Sequence, residues 1–581
     1  MRVAAGAGSV GPMMAFENRL LYVKRCYDDH LPTAQPFDRL SRGDGIREPM
    51  SKLVLNAKSG PPAGPSATAL PVLGGAAFRP ARRSADPSQA LGEARATPPI
   101  VSLVALGCAK NLVDSEKMLG QIAESGALIS GDESVADTVV VNTCGFLASS
   151  RTEALEVLAE LAERKRRGKL RRIVVAGCLV QRDGQKIRDA IPEIDALVGV
   201  NNRGDVVRAV WRTHAGERRL GVSTRRGQKS AARGAVDLYL GDYHGQPWSD
   251  TGRLRLTPRH YAYVRISEGC NQKCTFCTIP SIRGPMHCKT AEELVAECRE
   301  LIADGAHELI LIGQDTTSYG ADIGYEPGLA GLLRTLNREC AGARWIRLMY
   351  VYPSVLTDAM IDAIAECQRI VKYVDIPLQH IHDRMLKRMH RRVTRAQTEA
   401  LLERIRQRIP GVAIRTTFIV GFPGETQAEF EELLTFVHDF GFDAAGAFMY
   451  SLEAETPAGR MSEQLDAAVK RERYERLMLA QQEVAFTRAT HWLGREFEVL
   501  VDGPAGDDGL SARHAGQAPE VDASSLVRGS DTAVGQFATV RCVGTAGYDL
   551  VVEPAAGGRQ ARRASLAAVQ ADSGETDASD A

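Results

Sequence analysis

Residues 267–277 read SEGCNQKCTFC and place three thiols, Cys270, Cys274 and Cys277, within one short loop. The loop directly follows an apolar run, residues 261–266, which predicts a β-strand. The Cys-x3-Cys-x2-Cys spacing lets one turn of loop present all three thiolates to a single inorganic cluster. Iron–sulfur clusters are held by cysteine thiolates, and a four-iron cluster needs a ligand for each iron. Three cysteines therefore leave one iron open.

The open iron predicts the cofactor. It can bind the amine and the carboxylate at the methionyl end of S-adenosylmethionine (SAM). An electron passed from the cluster into the sulfonium would yield a 5′-deoxyadenosyl radical, which can take hydrogen from an unactivated carbon. The cofactors supply this chemistry and the protein supplies placement. The alternative is a structural zinc loop, but such sites usually add a second Cys or His pair, and none follows here.

Composition narrows the class of protein. Lys plus Arg and Asp plus Glu number 72 each, so there is no bulk positive charge to attract nucleic acid. No stretch approaches the roughly 20 apolar residues of a membrane span, and the amino terminus lacks the apolar core of a secretory signal. Twelve cysteines without an export signal indicate a reducing compartment, where cysteine serves metal binding or catalysis. We expect a cytoplasmic protein with no membrane partner.

The 581-residue length allows about three or four domains. Residues 1–98 are rich in Gly, Ala, Pro, Ser and Arg and show no sustained hydrophobic period. Such a composition buries too little apolar surface to offset the entropy of ordering. We predict that this segment is disordered, or that it is an extension from a translation start assigned too far upstream, with Met50 as one alternative start.

Residues 99–213 predict an open, parallel α/β domain, because buried strands alternate with helices. The predicted strands are 100–106, 138–142 and 172–176, and the predicted helices are 113–126 and 148–166. Cys108, Cys144 and Cys178 each fall just past a strand end, where open sheets bind ligands. The alternative is three unrelated buried thiols, since Cys is among the most buried residue types. Their shared placement favours a second cluster site.

Residues 214–258 are Gly-, Arg- and Ser-rich and predict a linker. Residues 259–490 then predict a partial TIM barrel with chemistry at the strand ends. Its six strands are predicted at 261–266, 308–312, 345–350, 373–376, 413–419 and 444–450. Four polar residues just past these strands are candidates for holding the cofactor by position: Gln314, Asp315, Gln379 and Glu425. Glu453 and Glu455 are expected to be solvated.

A long charged helix over 466–490 is predicted to lead out of the barrel. Residues 491–556 then predict a small antiparallel β-barrel, since short strands at 497–501, 537–543 and 548–552 are joined by Gly-rich turns. Residues 557–581 are Ala-, Asp- and Ser-rich, and we predict a frayed tail.

Together, the three amino-terminal cysteines, the Cys-x3-Cys-x2-Cys loop with its aromatic Phe276, and the small β-barrel resemble the methylthiotransferase family of radical SAM enzymes. The resemblance covers residues 100 to about 555. It implies two 4Fe–4S clusters. Cys108, Cys144 and Cys178 would hold an auxiliary cluster that handles sulfur, and Cys270, Cys274 and Cys277 would hold the radical-generating cluster. It also implies that Phe276 lies at the SAM site and that the tail is a TRAM domain, which helps to bind the substrate.

Local sequence resembles one branch of that family. The runs LGCAKNLVDSE (106–116), DIPLQH (375–380) and MYS (449–451) are similar to the branch that modifies an aspartate of ribosomal protein S-twelve. The tRNA branches tend to have Pro-Val-Gln-Ser where this chain has Pro-Leu-Gln-His. The resemblance implies methylthiolation of the aspartate β-carbon, with a tRNA adenosine 2-methylthiotransferase as the alternative. The alternative from another class is a non-enzymatic electron-transfer or cluster-carrier protein, which would have full cysteine ligation.

The same resemblance implies the partners. These are ribosomal protein S-twelve, free or on the small subunit, an electron donor such as flavodoxin or ferredoxin, and a sulfur carrier.

Overall fold

The computed structural model describes residues 98–211, 236–242, 248–506 and 509–555. The predictions for residues 1–97 and for the tail over 557–581 lie outside this part of the chain.

The first domain is a six-stranded sheet with strand order β2-β1-β3-β4-β5-β6, and every pair in it is parallel. Its strands are β1 (Ile100–Ala105), β2 (Leu128–Ile129), β3 (Thr138–Thr143), β4 (Arg172–Gly177), β5 (Ala196–Val198) and β6 (Asp237–Tyr239). Its helices are α1 (Ala109–Glu124), α2 (Ala148–Arg166), α3 (Cys178–Ala190) and α4 (Val206–Trp211). The central strands are buried on both faces, as a continuous apolar run requires. The predicted open parallel domain is confirmed.

The structure differs from the linker predicted over 214–258. Residues 237–239 form β6, the edge strand that pairs with β5 in parallel. Further along, Asp250 is 2% exposed and the side chain of Arg253 is 1% exposed. The local composition is polar because these residues complete a buried ionic network, which sequence periodicity does not register.

The second domain is the predicted partial TIM barrel, an open barrel of six parallel strands in chain order. These strands are β7 (Tyr261–Arg265), β10 (Glu308–Ile312), β11 (Trp345–Leu348), β12 (Tyr373–Asp375), β13 (Ala413–Val420) and β14 (Ala444–Met449). They form two three-stranded groups, linked by a bridge between Ile346 and Ile370. The hairpin of β8 (Ser267–Glu268) and β9 (His287–Cys288) lies above β7.

Helices connect the barrel strands, and the first of them packs against α3 of the first domain. They are α5 (Ile279–Arg283), α6 (Ala291–Ala303), α7 (Gly328–Glu339), α8 (Asp358–Glu366), α9 (Asp383–Arg388), α10 (Arg395–Arg408) and α11 (Gln427–Phe440). Three of them begin with a capping box, in which a Thr and the Glu or Gln three residues on satisfy each other's backbone N–H; these threonines are Thr290, Thr394 and Thr426. Helix α12 (Ala467–Thr490) then leads out of the barrel, as predicted.

The third domain is a closed five-stranded β-barrel with strand order β15-β16-β17-β19-β18. Its strands are β15 (Glu496–Pro504), β16 (Gly509–His514), β17 (Ser525–Arg528), β18 (Phe537–Ala546) and β19 (Asp549–Pro554). The predicted small barrel is confirmed, although β17 and β19 pair in parallel and sequence reasoning missed β16 and β17. Within the described residues, no helix is long and apolar enough to cross a bilayer.

Candidate active site

The barrel cysteines lie on a loop that the β8–β9 hairpin fixes in place. Gly269 has φ +76°, and a Cβ there would lie 2.2 Å from the carbonyl oxygen of Pro285. Only glycine fits such a close backbone approach. The backbone N–H of Cys270 donates to the carbonyl of Gly284 at 3.2 Å. The loop is therefore held against the hairpin, at the carboxyl end of the first barrel strand.

The three thiols of this loop, which we call the barrel triad (Cys270, Cys274 and Cys277), have an environment suited to a cluster. Backbone N–H groups of Gln272 and Ile279 each lie 3.4 Å from a thiol sulfur, those of Cys270 and Cys277 respectively. Burial raises the pKa of Cys270 to about 11 and that of Cys277 to about 12. These two thiols are therefore protonated until iron displaces the proton, because metal ligands must be thiolates.

A cation and an aromatic ring complete the wall beside the barrel triad. Arg391 Nη1 lies 3.6 Å from the Cys274 sulfur, and the guanidinium stacks on the ring of Tyr352 at 4.1 Å. Positive charge beside the sulfurs suits an anionic thiolate cluster. Among the residues the structure describes, no three His, Cys, Asp or Glu side chains are grouped to hold a single metal ion.

The amino-terminal cysteines converge at one rim of the first sheet, and we call them the auxiliary triad (Cys108, Cys144 and Cys178). Cys108 directly precedes α1, Cys144 follows β3, and Cys178 is the first residue of α3. Burial, and then the neighbouring Cys108 and Cys178, raise the pKa of Cys144 to about 12. Two helix N-termini at this rim favour negative charge. The arrangement fits a second thiolate-bound cluster.

Arg283 connects the two triads. It is 2% exposed, and its Nε lies 3.3 Å from the sulfur of Cys178. Its Nη1 donates at 2.9 Å to the carboxylate of Glu268, two residues before Cys270. Its Nη2 donates to Asn111 at 2.6 Å and to Asp114 at 3.0 Å, both on α1. One guanidinium thereby sets the auxiliary triad against the rim of the barrel.

Two of the predicted cofactor residues lie beside the barrel triad. Asp315 accepts from the side chain of Gln272 at 2.9 Å, from the hydroxyl of Ser318 and from two backbone N–H groups. Asp315 thus orients the cluster loop. Gln314 Nε2 donates to Glu268 at 2.7 Å, while its buried Oε1 has no hydrogen-bond partner in the described residues. That oxygen is available to a ligand amine.

The other predicted residues shape the far side of the rim. Both oxygens of Glu425 are engaged, one with His380 Nε2 at 3.1 Å and the other with the N–H of Gly421 and with Arg473. Glu425 therefore holds the 421–425 turn. Gln379 has φ +74° at the end of β12. Phe276 packs against a buried cluster of apolar side chains that includes Phe422 and Tyr450.

Sequence reasoning missed a set of arginines that joins the first domain to the end of β14. Glu453 was expected to be solvated, yet it is 3% exposed and pairs with Arg151 at 2.9 Å and with Arg182. Arg182 also pairs with Glu455 at 2.7 Å, and Glu455 is exposed as expected. The expectation for Glu453 is wrong because its cation partners lie about 270 to 300 residues earlier in the chain.

Three family models match the chain, one for each domain. The model described as Uncharacterized protein family UPF0004 matches residues 101–199, Radical SAM superfamily matches residues 264–437, and TRAM domain matches residues 493–554. Each match falls within one of the three domains described above.

Curated relatives match nearly their whole length. The chain is 42% identical over 455 residues to "Ribosomal protein uS12 methylthiotransferase RimO" of Syntrophotalea carbinolica, covering 78% of this chain and 96% of that protein. It is 43% identical over 448 residues to the protein of the same name from Anaeromyxobacter sp. (strain K), covering 77% and 91%. Among solved structures, the radical SAM methyltransferase TsrM from Kitasatospora setae is similar over 62% of this chain and 77% of its own, at 16% identity and a TM-score of 0.44.

Proposed function

The chain belongs to the RimO family of radical SAM methylthiotransferases, and from this we infer that it adds a methylthio group to ribosomal protein uS12. We propose the β-carbon of an aspartate side chain as the position modified. A C–H bond of that carbon would be replaced by a C–S bond to the methylthio group. The observation that carries the proposal is the pair of three-cysteine sites, one at the rim of the first sheet and one at the rim of the barrel, joined through Arg283.

We propose that the barrel triad holds the cluster that binds SAM and that the auxiliary triad holds the second 4Fe–4S cluster. When bound, SAM and the barrel cluster supply hydrogen-atom abstraction, and the auxiliary cluster supplies the sulfur. Gln314 offers its free Oε1 to the cofactor, and Asp315 fixes the cluster loop through Gln272. Glu425, Gln379 and Phe276 shape the wall against which the adenosyl group would lie.

The alternatives have different requirements. A tRNA methylthiotransferase should bind tRNA with an affinity that falls steeply with salt, because phosphate contacts release counterions. An electron carrier should not cleave SAM. The curated relatives reported above are named for a ribosomal protein substrate, which favours the protein-modifying reaction.

An electron donor such as flavodoxin or ferredoxin and a sulfur carrier would complete the reaction, in the compartment where ribosomes are assembled.

Anaerobic reconstitution tests the proposal. The chain, loaded with iron and sulfide, is incubated with SAM, dithionite and either uS12 or tRNA, and both are analysed by mass spectrometry. We expect one methylthio group on an aspartate of uS12 and none on tRNA. A methylthio group on tRNA alone would move the assignment to the sister branch. Fully loaded enzyme that forms no 5′-deoxyadenosine with either substrate would contradict the radical reaction.

Cysteine variants separate the roles of the two sites. Cys274→Ala should abolish 5′-deoxyadenosine formation. Cys144→Ala should retain it while losing the methylthio product, because only the auxiliary site is changed. Cys367→Ala, a buried thiol outside both triads, should match the unchanged chain. Loss of SAM cleavage in Cys144→Ala, with the barrel cluster intact by electron paramagnetic resonance (EPR), would contradict this division of roles.

A further inference from the structure

Lys110 is a buried cation without an anionic partner. It lies on α1, two residues after Cys108, and is 7% exposed. Among the described residues, no hydrogen bond or ion pair reaches its Nζ, which lies 3.1 Å from the centroid of the Tyr350 ring. Lysines are almost never this buried unless they are paired. Its Nζ keeps some contact with solvent beside the ring face, so an anion can reach it.

The ammonium of Lys110 lies against the barrel rim, while its backbone belongs to the helix that begins beside the auxiliary triad. Tyr350, its ring partner, stands just past the end of β11 on the barrel rim. Two residues further on, the hydroxyl of Tyr352 lies 3.7 Å from the sulfur of Cys274. Lys110 is therefore close in sequence to Cys108 of the auxiliary triad, and its ring partner is close in sequence to Tyr352, which contacts the barrel triad.

The acids near Lys110 are already paired with other cations. On its own helix, Asp114 binds three arginines, Arg203, Arg265 and Arg283. On the rim, Asp375 accepts from the backbone N–H of Tyr350 at 3.0 Å and pairs with Arg415 at 2.9 Å. Neither carboxylate is paired with Lys110, so its ammonium is free to bind an anion brought by a ligand.

The backbone beneath Lys110 is strained. Tyr350 has φ +62°, a conformation that bulky side chains rarely adopt. Its N–H is held by Asp375, and its carbonyl accepts from the hydroxyl of Thr316 at 3.1 Å. Such strain persists only where the surroundings impose it, and it is common at ligand clamps. Gln379, at the end of the next strand, is strained in the same way.

We propose that Lys110 binds the side-chain carboxylate of the substrate aspartate. This inference rests on the proposed function, in which the modified carbon is bonded directly to that carboxylate. A carboxylate brought between the two domains would lose water and would need a cation, and Lys110 offers an unpaired one there. Pairing them would place the β-carbon between the two clusters, and would let the enzyme select aspartate over asparagine.

The test compares binding of uS12 with binding of its variant in which the target aspartate is asparagine. Dissociation constants are measured for the cluster-loaded chain, Lys110→Met, Lys110→Arg and a control, Lys117→Met. Lys117 lies on the same helix and donates to the backbone of Thr251. We expect Lys110→Met to weaken binding of the aspartate form about 10- to 100-fold and to leave the asparagine form unchanged. Lys110→Arg should keep part of the preference for the aspartate form over the asparagine form, and Lys117→Met should keep that preference in full.

A stability measurement excludes a merely structural role. Replacing an unpaired ammonium on a largely buried side chain by the apolar Met should leave the thermal midpoint of the free chain unchanged or raise it. Iron content and the EPR signals of both clusters should not change. A lower midpoint for Lys110→Met, with an unchanged preference for aspartate, would assign Lys110 to folding and overturn the inference.

Three further outcomes separate this inference from the proposed function. If the unchanged chain modifies uS12 and Lys110→Met keeps the full preference for aspartate, the inference fails and the proposed function stands. A shifted reduction potential of the auxiliary cluster, without a change in that preference, would likewise overturn it. If the unchanged chain cleaves SAM but neither modifies uS12 nor prefers the aspartate form, both the inference and the proposed function are contradicted.

Discussion

Single residues set the geometry of the auxiliary triad. Gly107 has φ +95°, and a Cβ there would lie 2.7 Å from the Cβ of Cys144. At Gly145, an added Cβ would lie 2.8 Å from the carbonyl carbon and oxygen of Cys178. Backbone atoms cannot move aside as the end of a flexible side chain can. Each glycine next to a cysteine therefore allows another cysteine of the triad to come close.

We expect Gly145→Ala to displace Cys178 and to remove the auxiliary cluster while sparing the barrel cluster. Iron bound per chain should fall by about half, because one of two 4Fe–4S clusters is lost. The control is Gly446→Ala, since a Cβ at Gly446 meets nothing within 4 Å. Full iron content in Gly145→Ala would show that α3 can shift without loss of the cluster.

His514 gives the fold a pH dependence. Burial first, and then Arg347 and Arg513, lower the pKa of His514 from 6.5 to about 3. Its Nδ1 lies 2.9 Å from the backbone nitrogen of Gly516, where a neutral ring accepts that hydrogen bond. In the unfolded chain the imidazole takes up a proton below about pH 6.5, whereas in the folded chain it does so only near pH 3. The stability contributed by the neutral ring is complete above pH 6.5 and is lost as the pH falls toward 3.

We expect His514→Gln to reduce the loss of stability between pH 7.5 and pH 5.5, by about 1 kcal/mol for one titrating group. Urea denaturation at the two pH values measures the difference. His491→Gln, at an exposed histidine that ends α12, should keep the full pH dependence. An equal pH dependence in both variants would contradict the assignment to His514.

At the scale of elements, the loop between β16 and β17 fastens the third domain to the barrel. Arg347 donates to the carbonyl of Ala515 at 2.9 Å. Asp522 accepts from the hydroxyl of Tyr373 at 2.7 Å and from Arg415 at 3.2 Å. Tyr373 begins β12, so the loop contacts the amino-terminal ends of the barrel strands. In TIM-type barrels that end serves stability, while the opposite end serves chemistry.

We expect Asp522→Ala to destabilise the chain by about 1 to 3 kcal/mol, because it leaves buried donors unsatisfied. Arg415 keeps its pair with Asp375, which limits the loss. Urea denaturation measures the change, and Glu553→Ala, on an exposed part of β19, serves as the control. SAM cleavage should continue in Asp522→Ala at a temperature where the chain is folded. Its loss there would place the loop in the reaction.

At the scale of the whole molecule, a buried ionic network joins the first domain to the barrel. Arg265 has no exposed surface and pairs with Asp114 of α1, with Asp250 and with Glu268. Burial disfavours the charge on Glu268, but Arg283, Arg265 and Arg203 outweigh it and hold its pKa below the usual range. The same network reaches the auxiliary triad through Arg283, so the placement of the two clusters and the stability of the chain depend on shared contacts.

We expect Arg265→Met to cost about 3 to 5 kcal/mol, because it leaves acids buried with too few cations. Arg299→Met is the matched control, since Arg299 is exposed, its partner Glu339 is only half-buried, and such surface pairs are worth about 0 to 1 kcal/mol. Urea denaturation of both variants tests this. Equal midpoints would show that the network is not needed for stability.

The sequence by itself determined the domain classes, the two cysteine triads and the strand ends on which they lie. These are local signals: cysteine spacing within one loop, and apolar runs that alternate with helices. It missed seven strands, all but β16 only two to four residues long, whose pairing partners the sequence pattern does not identify: β2, β5, β6, β8, β9, β16 and β17. Periodicity records which face of an element is buried, but not what the element is buried against.

Only the tertiary structure decided how the triads are joined. Arg283 contacts Cys178, which lies 105 positions away in the sequence, and Arg182 pairs with Glu453, which lies 271 positions away. Lys110 contacts the ring of Tyr350 across the domain boundary. In sequence these charged residues look solvated. They are buried because two domains, each with an open rim, close on one another, and a charge that is removed from water must find its partner across that boundary.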